Sequence, residues 1–95
     1  MQKSYVYITT NPNKSVLYIG VTNDIVRRMN EHETDAKTIK SSFAGKYNCY
    51  NLVYFEEFID INQAIKREKE LKGWTRKKKI DLINSFNAEW KFLSM

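Results

Sequence analysis

The chain has 95 residues, 42% of them hydrophobic and 14% aromatic, which is enough for one folded domain and too apolar for a disordered chain. Its one cysteine, Cys49, excludes an internal disulfide, and with its one histidine, His32, excludes an ordinary four-ligand structural zinc site. A net charge of +5 favours a polyanionic partner. With no leader pattern and no apolar run of about twenty residues, the chain reads as a cytoplasmic protein with no membrane role.

Residues 4–9 alternate and are rich in β-branched and aromatic side chains, and 15–20 repeat the pattern, so the turn Asn11-Pro12-Asn13-Lys14 between them predicts a β-hairpin. That turn places Tyr7 directly across from Tyr18, on one face, with Gly20 just beyond. Thr22 or Asn23 caps a first helix with Asp24 in its opening turn, and Ile25, Val26, Met29 and Ala36 form its apolar stripe. Residues 35–50, with Lys37, Lys40, Gly45 and Lys46, read as a polar loop with a short helix. Residues 52–58 are a third strand, apolar on both faces and hence covered on both sides. Asp60 and Gln63 form a capping box that opens a second helix, which Gly73 ends; Thr75 caps a third carrying Ile80, Leu82, Ile83 and Phe86. Trp90, Phe92 and Leu93 pack back on the core, giving an α+β domain over 1–95, a three-stranded sheet flanked by helices.

Five side chains in this frame suit chemistry. Tyr7 and Tyr18 pair as a strand-stabilising couple, or as an acid–base group once nearby positive charge lowers a phenol. Arg28 and His32 stand four residues apart on the first helix, on one edge beside its stripe, with Asp24 a turn earlier. Arg28 is a fixed cation, and His32 titrates near neutral pH unaided. Glu68 projects into the apolar stripe of Ile61, Ala64, Ile65 and Leu71, where a carboxylate must pair or hold a metal; an intrahelical pair with Lys72 is the alternative to a single hard ion such as Mg²⁺. Lys66, Arg67, Lys69, Lys72, Arg76, Lys77, Lys78 and Lys79 form a basic run, the last four in a first helical turn whose dipole prefers acids, with Lys72 and Arg76 to Lys79 the candidate nucleic-acid contacts. Phosphate contact is a use for such a cluster, and a solvated basic face is its plain alternative. There is no phosphate-binding glycine loop, no dinucleotide pattern and no nucleophile triad.

Together these residues resemble the GIY-YIG endonuclease superfamily, in its short standalone bacterial form. The resemblance rests on Tyr5-Val6-Tyr7, Tyr18-Ile19-Gly20, Asn23-Asp24, Arg27-Arg28, His32, the AIKREKELKG segment 64–73 and Asn87-Ala88-Glu89-Trp90, and it runs from about residue 4 to 93. It implies a small α/β domain with a three-stranded antiparallel sheet that hydrolyses DNA phosphodiesters with one Mg²⁺, in repair or processing. Tyr7, Tyr18, Arg28, His32 and Glu68 are then the active-site residues, with Glu68 the metal ligand, Tyr7 a base made more acidic by Arg28, and Gly20 and Asn87 in support. Tyr5 stands where the motif has glycine, and shares the face of Tyr7, where it could crowd the site. RNA, protein partners and the oligomeric state are left open, and a basic nucleic-acid-binding domain without catalysis is the alternative function.

Overall fold

In a computed structural model, residues 3–37 and 47–94 are described. They form strand β1 (Ser4–Thr10), strand β2 (Leu17–Thr22), helix α1 (Ile25–Lys37), strand β3 (Asn51–Phe58), helix α2 (Ile61–Lys72) and helix α3 (Arg76–Phe86). The expected loop around Lys40, Gly45 and Lys46 lies outside the described residues. The strands make one antiparallel sheet in the order β2-β1-β3, as expected of an α+β protein.

The central strand β1 sorts its side chains by parity. Val6 and Ile8 face one core with Ile19, Val53, Ala64, Leu71 and Ile83, beneath α2 and α3. Tyr7 faces the other with Ile25, Leu52 and the partly buried Tyr18 and Met29 of the α1 side. The sheet is therefore covered on both faces, which is why β3 reads apolar on both.

The hairpin register differs from the simple turn reading. Lys14 N–H donates to the Asn11 carbonyl at 2.9 Å, so the turn at 11–14 forms, but the strands do not pair at once. The Asn11 side-chain oxygen takes the amides of Ser15 at 2.8 Å and Val16 at 3.0 Å, groups that a tighter hairpin would give to the ladder. Pairing starts at Thr10 with Leu17, so Gly20, not Tyr18, lies opposite Tyr7, and Tyr18 lies opposite Thr9. A slip of two residues preserves parity, and both tyrosines stay on one face as diagonal neighbours.

Two details of helix geometry also differ. Asp24 itself caps α1, accepting from Arg27 N–H at 3.1 Å, while Thr22 Oγ1 accepts from Asp24 N–H. Val26 is exposed and His32 takes its place in the buried stripe with Ile25 and Ala36, because positions 25, 32 and 36 share one helical face. Asp60 and Thr75 cap α2 and α3 through their side chains, and Gly73 ends α2.

β3 carries a bulge: Ile8 pairs with Tyr54 and Thr9 with Leu52, leaving Val53 unopposed. Asn87, at the end of α3, donates from Nδ2 to the Val53 carbonyl at 3.1 Å and to the Lys91 carbonyl at 2.8 Å, and accepts from Lys91 N–H at 3.0 Å. Leu93 N–H then donates to the Leu52 carbonyl at 2.7 Å, so the tail is tied back to β3.

Candidate active site

Tyr7, Tyr18, Arg28 and His32 converge between β1, β2 and α1. Tyr7 is fully buried, and its hydroxyl lies 2.8 Å from His32 Nε2 and accepts a long hydrogen bond from Arg28 Nε at 3.4 Å. The rings of Tyr7 and Tyr18 are 6.2 Å apart, and Tyr18 meets His32 edge-on at 5.3 Å. Arg28 also reaches Tyr18, and Glu31 steadies its guanidinium at 3.2 Å. Glu31 was missed in the sequence, although its spacing of three from Arg28 on a helix was the available signal.

Gly20 makes this packing possible. A Cβ there would sit 2.3 Å from the Tyr7 hydroxyl oxygen and 2.5 Å from Cζ. The first strand's tyrosine ring lies where a second-strand side chain would otherwise be.

The electrostatics set protonation states. Burial pushes the Tyr7 hydroxyl well above its ordinary value, and this outweighs the lowering by Arg28, so Tyr7 is a neutral phenol. Burial, followed by the charge of Arg28, holds His32 down at about 4, so its imidazole is neutral at pH 7. The Tyr7 hydroxyl thus accepts from Arg28 and donates to a neutral imidazole.

Tyr5 packs against the Tyr7 core. Its ring packs edge-on against Phe55 at 6.3 Å, and its hydroxyl donates to Glu57 at 3.3 Å, on the β3 side of the sheet.

Glu68 comes from the opposite layer, on α2. Its side chain is 16% exposed and pairs with Lys72 Nζ at 3.4 Å, so the intrahelical partner considered from the sequence is present. Lys72 in turn shares a cleft with Tyr18 and Lys79. Among the described residues, no three His, Cys, Asp or Glu side chains cluster as a metal cage. The donor set fits a hard ion held by one carboxylate, with water and phosphate oxygens completing its shell, which is a usual manner of holding Mg²⁺.

The members of the basic run differ in what they touch. Arg76 donates to the Ser15 carbonyl at 2.6 Å, Lys78 lies 4.1 Å from the centre of the Trp74 ring, and Lys77 is exposed. Asn87 is a structural tie of the tail.

The GIY-YIG catalytic domain family matches residues 3–81, which contain every one of these groups except Asn87. The chain belongs to that family. Its relatives include a UPF0213 protein of Haloquadratum walsbyi, 37% identical over 82% of this chain and 83% of the relative. Another, from Staphylococcus saprophyticus, is 34% identical over 88% of this chain and 98% of its own length. The solution NMR structure of a UPF0213 protein from Bacillus halodurans superimposes with a TM-score of 0.56 at 27% identity, covering 93% of this chain and 89% of that one. GIY-YIG domains form a nuclease family, and these relatives, like this chain, are short.

Proposed function

We propose that this protein is a Mg²⁺-dependent endonuclease that hydrolyses DNA phosphodiesters. The observation that carries this reading is the relay Arg28–Tyr7–His32, a cation, a phenol and a neutral base in hydrogen-bond sequence inside a nuclease family fold. Glu68 would hold the ion, which when bound supplies charge neutralisation at the phosphate and the leaving oxygen.

The chain's own groups do the rest. Arg28, whose side chain is 36% exposed, offers its guanidinium to a phosphate oxygen and to the charge that builds in the transition state. Tyr18 orients the phosphate or the attacking water. Water attacks phosphorus as the bond to the 3′ oxygen breaks. The water proton passes to the Tyr7 oxygen as the Tyr7 proton passes to His32 Nε2. The departing 3′ oxygen takes a proton from solvent, leaving a 3′ hydroxyl and a 5′ phosphate. A role in DNA repair or processing inside the cell suits such an activity.

Wild type and Glu68→Ala protein should be incubated with supercoiled, branched and single-stranded DNA, with Mg²⁺ and with EDTA. Cleavage by wild type only, and only with Mg²⁺, is the expected result. Glu68→Ala and Arg28→Ala should each lose about 10²–10³ in rate or more, as for other preorganised charges; full activity in Glu68→Ala would sink the assignment. The second reading, a basic binding domain without catalysis, is favoured by the complete burial of Tyr7. Salt-dependent binding without any cleavage would select it.

A further inference from the structure

The cations of the basic run differ in what they face, and two of them meet at one place. A cleft of about 250 Å³ is lined by Leu17, Tyr18, Ile19, Lys72 and Lys79. Consecutive strand residues point to alternate faces, so a cleft that touches all three of β2 runs along that strand's edge. Among the described residues β2 pairs only with β1, and this edge carries no partner strand. Lys72 comes from the end of α2 and Lys79 from α3. Arg76, one turn before Lys79, grips the Ser15 carbonyl and so fixes α3 against the hairpin.

We infer that this cleft binds the nucleotide next to the scissile phosphate. Its phosphate would lie on the ammonium groups of Lys72 and Lys79, and its base against Leu17 and the Tyr18 ring. The inference rests on the nuclease reading given above. Tyr18 belongs to both places: its ring touches His32 and packs beside Tyr7, and the residue also lines the cleft. The lining has apolar carbon and two ammonium groups, that of Lys72 paired with the Glu68 carboxylate at 3.4 Å, and no side-chain amide to read a base edge. It therefore takes any base, and it takes a strand that is unpaired or frayed at that step, because a base stacked within a duplex cannot lie on the protein.

The test is fluorescence anisotropy of short labelled oligo-dT and oligo-dA in EDTA, which prevents turnover. Lys72→Met/Lys79→Met is compared with Lys66→Met/Lys69→Met, which removes the same charge from exposed positions of α2. The cleft variant should lose about tenfold or more in affinity, and its salt slope should fall by about 0.7, the release expected for one single-strand phosphate contact. The control should lose less than about threefold. Equal losses in both variants, with wild type still binding, would overturn the cleft and leave the nuclease reading intact. Absence of binding by wild type even at low salt would overturn both. A second readout is photocrosslinking of 5-iodouracil oligonucleotide to wild type: attachment at Tyr18 supports the cleft, and attachment only elsewhere rejects it.

Discussion

A single missing methyl group separates the Tyr7 ring from the strand beside it. Gly20→Ala would drive a carbon into the Tyr7 hydroxyl, and a fully buried ring has nowhere to retreat. We expect a loss of about 1–3 kcal/mol, as for other overpacked cores, read from the urea midpoint, together with loss of cleavage. His32 gives the complementary prediction. Its folded value of about 4 lies below the ordinary value of 6.5, so the unfolded chain binds the proton more readily. Its contribution to stability is whole above about pH 6.5 and is lost as pH falls toward 4, with a slope of up to about 1.4 kcal/mol per pH unit. Urea titrations at several pH values should show this slope in wild type, and a flatter profile in His32→Gln.

Among the elements, the end of α3 holds more than its short length suggests. Asn87→Ala would leave the bulge carbonyl of Val53 and the backbone of Lys91 without their partner, and should cost about 1–3 kcal/mol while Asn87→Asp restores only the bond from Lys91 N–H. Thermal unfolding of the two variants measures this directly. The sequence shows why such ties are harder to see than elements. The three strands and helices α1 to α3 follow from alternation, helical spacing and the caps Asp60 and Thr75, which are local signals. The pairing of Tyr7 with Gly20 depends on where Asn11 sends its side-chain oxygen, and the bulge at Val53 on a contact 34 residues away. Tyr7, Tyr18, Arg28 and His32 were legible as a set because a two-residue slip keeps a strand's faces. The burial of His32 within the α1 stripe was hidden by Val26, which carries the apolar label at an exposed position. That Tyr7 stays protonated also lay beyond the sequence, since the competition between burial and Arg28 is decided by depth.

For the molecule as a whole, the chain carries one cluster of Tyr7, Tyr18, Arg28 and His32, so on the proposed reading a single visit breaks a single strand. Supercoiled plasmid should pass through an accumulated nicked circle before any linear product appears on a gel. Linear product without a nicked intermediate would require two chains acting together. β1 explains how such a small body holds its chemistry steady. It is hydrogen-bonded on both edges and buried on both faces, with Val6 and Ile8 in one core and Tyr7 in the other. Its amides should therefore be the last in the protein to exchange with deuterium, after those of the helices that bring Arg28 and Lys72. The phenol is moored to the slowest-opening segment and the cations ride on faster ones, so local opening would carry the charges away from the hydroxyl well before the hydroxyl itself is released.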